Sequence, residues 1–450
     1  MKTRIRHFLE MFSENIWMIP LLFLVASVAM SFFNFYLDKT FFARHIQLPG
    51  LFLYFNNSEN IRTLLSVSAT SILGVAGVSF SITIASLTLA SQQFGPRLLR
   101  NFMMSRFNQT VLGIFIGTFL YCIMMLQFTS SMDLEKTTPF VSMIGLLILI
   151  VVNLLMLVFF IHHIAVSIQA DSVIADVNGD LQKQLAVFFP DKVREDEHLP
   201  SVPSFEKNKS DFDEEGVPVF ARQSGYLQAI DIVSLLKFVT KEDFALKLSI
   251  KPGDFIIKNS QIGSCLLTDE QKEDFDELIS DPISNRLLLG DKSTAEQDPE
   301  FAIRQLVEVA VRALSPGIND PFTAITCIDR LGDNVAFLIN RQFPLDQHFD
   351  EDGRLRLFIK SFTFDGIVEA SFNQIRQHGR NDVSVIIRLL DTLLCLADQI
   401  REVNQVKAIK TQADALYSVC NENFIAKKDR DDIECLYQSI SEQLKKVRNN

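Results

Sequence analysis

The sequence predicts an α-helical membrane domain of four transmembrane helices, followed by a cytoplasmic α+β region made of a small β-sandwich-like module plus a helical bundle. Three observations predict it. Of the 450 residues, 48% are hydrophobic, and four long uncharged stretches fall within the first 170. Charge is divided as well: before residue 167 there are ten Lys and Arg against six Asp and Glu, and after it thirty-three against forty-eight, so a front of +4 precedes a back of −15. Past residue 217 the apolar pattern first alternates, as in strands, and then recurs every three or four residues, as in helices.

A helix crosses the bilayer with about twenty apolar residues, because every backbone polar group must be paired within the segment. Spans are expected at about 16–36, 64–91, 111–130 and 139–166, within a transmembrane domain of residues 1–167. Lys2, Arg4 and Arg6 precede the first span, and Arg97, Arg100 and Arg106 crowd the link between the second and third. By the excess of cations on the inner side, the N-terminus, that link and everything after residue 167 face the cytoplasm. Asp38 and Lys39 fall in the first outer loop, residues 38–62, whose apolar "FFARHIQLPGLFLYF" leaves open whether it re-enters the membrane. "FGPRLLRNFMMSRF" in the inner link reads as an amphipathic segment at the headgroup layer.

The second span carries a stripe. Ser66, Thr70, Gly74, Gly77, Ser81, Ala85, Thr88 and Gln92 follow at steps of three or four and share one helix face. In lipid, small residues and hydroxyls on one face permit close helix approach, so a packing seam is one reading. The other is a polar path lined by the same face of several copies; four spans are too few to enclose a path alone, so it requires a homo-oligomer.

The fourth span ends in "FIHHIAVSIQ". His162 and His163 stand at the expected inner boundary, where an imidazole can titrate near neutrality or serve as an interfacial anchor. The apolar spacing from Ile161 to Phe188 predicts that this helix runs straight on as a stalk over 168–190. Residues 191–216, with nine acidic side chains against four basic, read as a solvated linker.

The β module is expected over 217–267, with Asp231 capping the helix "IVSLLKFV" and a turn at Lys251-Pro252-Gly253-Asp254. Residues 268–450 are expected to be mostly helical. Asp298-Pro299 and Asp320-Pro321 each supply an N-cap and a first-turn proline. Between those two helices, Ser315 to Asp320, with Gly317, form an elbow. Its helix N-terminus can attract a small anion; alternatively it is a self-capped corner whose Asn319 and Asp320 satisfy the backbone. A hairpin is expected around "FDEDGRLRLFI", and the stripe Val385, Leu389, Leu393 and Leu396 suits subunit contacts as well as core packing.

Several classes are set aside. The acidic balance argues against nucleic acid. Six cysteines without a CxxC pair give neither a disulfide framework nor a zinc site. No GxxxxGK, HExxH or GxSxG motif occurs, so no catalytic residue, metal or cofactor is expected.

At "FIHHIAVSIQ", "SGYLQAID", "PGDF" and "FAIRQLVEVAVRALSPGINDPFTAITCIDRL", the chain resembles the bacterial predicted integral membrane proteins catalogued only as a domain of unknown function, family 2254. The resemblance implies an inner-membrane location and this order of spans and soluble region, and no activity. The positions it carries across are His162, His163, Gln169, Arg304, Ser315, Asn319, Asp320 and Thr323, with roles unassigned; Arg304 is grouped with the elbow. Two functions remain in view. The first is an oligomeric channel passing ions or small solutes along the second-span stripe. The second is a membrane-anchored sensor or scaffold whose cytoplasmic part binds a small anion or a protein.

Overall fold

The computed structural model describes residues 17–40, 58–95, 106–131, 139–191, 212–268, 271–272, 279–423 and 426–449. The chain divides into two compact units, Met1–Val173 and Ile174–Asn450.

Among the described residues the first unit holds four apolar helices, α1 (Met18–Thr40), α2 (Ser58–Phe94), α3 (Arg106–Ser131) and α4 (Phe140–Ser167), each long and apolar enough to cross a membrane. At 1.5 Å per residue α1 is about 34 Å long, against a hydrocarbon core of roughly 30 Å. α3 is the most buried of them and packs against the other three. Phe115, Tyr121, Cys122 and Met125 of α3 are fully buried. Two glycines let α1 approach it: a Cβ on Gly113 would fall 2.7 Å from Phe23 Cδ2, and one on Gly117 would fall 2.6 Å from Ser27 Oγ. This is a small-xxx-small crossing. The outward faces of α1 and α4 carry Leu22, Val25, Phe33, Val151, Leu155 and Val158, all exposed, as a hydrocarbon-facing surface requires.

α4 does not run straight on. It ends at Ser167, the Gln169 amide bonds the Val166 carbonyl, and the Gln169 carbonyl accepts from Ser172 and Val173 to begin α5 (Ala170–Phe188). The bond from residue i to i−3 tightens the last turn and breaks the register. The segment expected as a stalk over 168–190 is helical from residue 170. Ile174, Val177, Leu181 and Leu185 are buried in the second unit, where Asn178 Oδ1 accepts from Asn334 Nδ2.

Among the described residues the second unit contains two sheets. Strands β1 (Val217–Phe220), β3 (Ala245–Leu248), β5 (Gln261–Leu266), β7 (Gln347–Phe349) and β8 (Leu355–Ile359) form one, in the order β1-β5-β3-β8-β7, with β3 and β8 parallel. Strands β2 (Gly225–Ile230), β4 (Phe255–Ile256) and β6 (Leu287–Gly290) form the other, in the order β4-β2-β6. The strands expected within 217–267 are thus completed by β6 and by the β7–β8 hairpin, whose partnership with β3 spans more than 100 residues. Val219, Leu246, Ile262 and Leu357 of the first sheet share one apolar core with Leu227, Ile256 and Leu287 of the second. The helix α6 (Ile232–Lys241) opens with Asp231 Oδ1 accepting from the Ser234 amide at 3.0 Å, and α7 (Asp281–Ser284) is a single turn.

Among the described residues six longer helices follow: α8 (Pro299–Ala313), α9 (Pro321–Ile339), α10 (Phe364–His378), α11 (Val383–Gln399), α12 (Val403–Asn423) and α13 (Lys427–Asn449). Asp298, Asp320, Thr363 and Asp382 cap the first four through side-chain oxygens. The stripe Val385, Leu389, Leu393 and Leu396 is buried inside this unit, where α11 packs on α9 and α13, so it is core and not a free subunit surface.

Candidate functional site

The stripe predicted on the second span lies on α2, and all eight of its residues, Ser66, Thr70, Gly74, Gly77, Ser81, Ala85, Thr88 and Gln92, are exposed. The buried side of α2 is carried by Ile61, Leu65, Ala69, Ile72, Ala76 and Ala90. At about 100° per residue the two sets stand on opposite sides of the helix. Among the described residues the stripe lies apart from the face of α2 that is buried in the first unit. Nothing lies within 4 Å of a Cβ placed on Gly74 or Gly77. Three hydroxyls return to their own helix: Thr70 donates to the Ser66 carbonyl, Ser81 to Gly77 and Thr88 to Ile84, each at 2.9 Å. Each keeps its oxygen lone pairs free to accept from outside.

Polar residues that the sequence reading passed over do pack inside this unit. Asp38 is not a loop residue; it ends α1 and is fully buried. Its carboxylate accepts from the Val141 amide (2.8 Å), the Ser142 amide (3.1 Å) and the Ser142 hydroxyl (2.5 Å). These are orphan donors at the start of α4, whose own N-cap position is Pro139, which supplies no side-chain cap. Tyr121 donates to the Ser142 carbonyl and accepts from Asn34 Nδ2. Deeper, Asn153 Nδ2 donates to Thr118 Oγ1 at 2.8 Å and to the Leu149 carbonyl at 2.6 Å. The signals were present: Gly113-x-x-x-Gly117, and Asn153 alone in the apolar run 145–161.

At the other end of the spans, the His163 ring packs tilted against Phe107 with ring centroids 4.4 Å apart and lies 3.4 Å from Ser167 Oγ, whereas His162 is exposed. The pair does not converge. Gln169 is exposed and supplies the backbone that opens α5. Arg97 and Arg100, the amphipathic inner link, and most of the loop 38–62 and of the linker 191–216 lie outside the described residues.

The elbow between α8 and α9 is a closed corner. The Ile318 and Asn319 amides bond the Ser315 carbonyl, and the Asp320 amide bonds the Ala313 carbonyl. Asn319 takes the left-handed backbone, φ 51°, which asparagine tolerates. Asp320 accepts from the Thr323 amide (3.2 Å) and hydroxyl (2.6 Å), so the anion held at the α9 N-terminus is the chain's own carboxylate. Gly317 has open space around it.

Arg304 does not belong to this elbow. It lies eleven residues earlier, about 16 Å along α8, where Asp298 and Glu300 draw its guanidinium toward the start of that helix. It pairs with the buried Asp298 carboxylate and, at 3.2 Å, with Glu300, whose other oxygen takes Lys251 Nζ at 2.5 Å. Gly253, at φ 95°, closes the other side; a Cβ there would enter the Asp298 carboxylate. "PGDF" and "DPEFAIRQL", separate in sequence, thus meet in one clamp that joins the β4 approach to α8. Burial raises the Asp298 carboxyl above its ordinary value, with Arg304 pulling the other way. Among the described residues no group of His, Cys, Asp and Glu could hold a metal ion.

Among the described residues four apolar helices, one of them stapled at its start by a carboxylate from another, define a multi-pass membrane protein followed by a region of helices and small mixed sheets. The chain matches the family described as "Predicted membrane protein (DUF2254)" over residues 13–394, and it belongs to that family. It is similar to "Uncharacterized protein MT1328" of Mycobacterium tuberculosis (strain CDC 1551 / Oshkosh), 30% identical over 368 residues, which cover 82% of this chain and 69% of that protein. The same figures hold for "Uncharacterized protein Mb1321c" of Mycobacterium bovis (strain ATCC BAA-935 / AF2122/97). No solved structure matches the chain.

Proposed function

We propose that the protein is an oligomeric, channel-like protein of the inner membrane. In this reading the stripe of α2 meets its own copies around an axis and lines or abuts a path for ions or small solutes. The soluble unit, on the cytoplasmic side with the N-terminus, assembles and gates that path. One observation supports it above the rest: the stripe stands on the side of α2 opposite the face packed on α3 and α4. Hydrocarbon gains nothing from exposed glycine backbone and hydroxyl oxygens, whereas a neighbouring helix gains close approach and water gains hydrogen bonds. The test is ion or small-solute flux through purified protein reconstituted in bilayers. Gly77→Leu and Ser81→Leu are expected to change that flux; unchanged flux in both, with normal assembly, overturns the pore face.

A second reading, a membrane-anchored sensor or scaffold, is supported by a cleft in the soluble unit. It measures about 310 Å³ and is lined by Arg222, Asp281, Ser284, Leu287 and Leu289. The Ser284 hydroxyl oxygen is buried there without a partner. This reading predicts no flux, and weaker assembly in Gly77→Leu. A monomer in both detergent and lipid nanodiscs counts against the two readings together.

A further inference from the structure

We propose that the cleft between α2 and α4 binds a membrane-dissolved alcohol: an apolar molecule carrying one hydroxyl. The cleft, about 220 Å³, is walled by Val67, Ile72 and Val75 of α2 and by Ile150, Leu154 and Leu157 of α4, with Ser68, Ser71 and Asn153 as its polar members. Val67 and Leu154, 57% and 60% exposed, form its lips on the hydrocarbon-facing surface, so entry is sideways from the bilayer. Its α2 wall lies on the flank of that helix, between the stripe and the buried face, and the site depends on neither the stripe nor conduction.

Asn153 decides the chemistry. It is buried near the midpoint of α4, and its Oδ1 has no hydrogen-bond partner. The amide orientation follows from its neighbours. The Leu149 carbonyl only accepts, so it must face Nδ2. Thr118 spends its single hydroxyl hydrogen on the Ile114 carbonyl and can only accept from Nδ2. Both Nδ2 hydrogens are therefore committed to α3 and to the α4 backbone, and Oδ1 is left as a buried acceptor without a partner, on a residue that lines the apolar cleft. An unpaired amide oxygen in hydrocarbon is unfavourable, and an incoming hydroxyl relieves that. Among the described residues no charged one lines the cleft, so an ionic ligand has nothing to neutralise it. A single water, occupying about 30 Å³, leaves most of the volume empty; a hydrocarbon fills it and leaves Oδ1 unpaired.

The test uses the full-length protein in lipid nanodiscs and a photoreactive diazirine derivative of octanol, with adducts mapped by mass spectrometry. Labelling is expected on the peptides carrying residues 67–75 and 150–157. Octanol should suppress it, and octane or octyl methyl ether should need about tenfold more, the equivalent of one hydrogen bond. Asn153→Leu removes the acceptor. Val75→Phe fills the cleft and leaves every Asn153 bond in place, so it keeps the test valid if the first variant misfolds. Both should lose the label. Equal competition by octane, full labelling of Val75→Phe, or a cleft that labels only when the protein is diluted to monomers would overturn the proposal, the last by giving the cleft to a second copy. Mass spectrometry of lipids retained through purification separates the sources. A hydroxyl-bearing lipid enriched over Val75→Phe makes the natural occupant a lipid; octanol labelling with no such lipid makes it a small free alcohol.

Discussion

Asp38, at the end of α1, accepts hydrogen bonds from both the amide and the hydroxyl of Ser142, a residue 104 positions later in the chain. The carboxylate supplies what Pro139 withholds from the α4 N-terminus, and it fixes the end of one span to the start of another. Asp38→Ala strands the buried Ser142 amide and the half-buried Val141 amide and is expected to destabilise the membrane unit by about 2–4 kcal/mol; Ser142→Ala, which loses one bond, by about 1 kcal/mol. Thermal unfolding in detergent measures both, and equal midpoints for wild type and Asp38→Ala would contradict the staple.

Glycines on α2 and α3 should respond oppositely to added bulk. Gly117→Val forces a side chain into Ser27 and the Phe23 backbone, and Gly113→Val into the Phe23 ring. Each is expected to lose about 1–3 kcal/mol through overpacking. Gly77→Val meets nothing in its own chain and should leave protomer stability within roughly 0.5 kcal/mol. Comparing melting with particle size by light scattering distinguishes the two kinds of face.

The clamp around Asp298 predicts that Arg304→Ala destabilises the second unit. It leaves a buried carboxylate without its cation, a loss of about 2–3 kcal/mol, below that of a fully buried pair because Arg304 is 34% exposed. Gly253→Ala adds strain at φ 95° as well as a clash with Asp298, and should be at least as harmful. Limited proteolysis between β3 and α8 is the readout, and wild-type resistance in both variants would remove the clamp from the account.

His348 on β7 sets a pH response. Burial lowers its pKa below the ordinary 6.5, while Asp346 pulls it upward. The unfolded chain then takes up the proton first as pH falls, so the stability that the neutral imidazole permits is present above pH 6.5 and is lost below it. The wild type should weaken relative to His348→Gln on moving from pH 7.5 to 5.5. Parallel curves for the two proteins would refute this.

Thiol chemistry should follow burial. Cys327 is fully buried, and burial pushes its thiol up to about 12, so at pH 8 only about one part in ten thousand is thiolate. Cys395 and Cys435 are exposed. Maleimide should label those two in the folded protein and reach Cys327 only on unfolding; peptide mapping of a timed reaction checks the order.

The sequence by itself determined the four spans, the helix starts at Asp298-Pro299 and Asp320-Pro321, and the alternation that makes β3 a strand. These are local properties: a run of uncharged residues, a side chain that reaches an amide two or three positions on, a period of two. Tertiary structure alone decided which face of α2 is turned outward, that Asp38 caps a helix from another span, that Arg304 serves the start of α8 and not the elbow, and that β8 completes the sheet beside β3. A helix face is apolar or small whichever neighbour it meets, and a carboxylate will cap whichever amides the fold carries to it. Contacts between residues a hundred apart depend on packing, which no local pattern records.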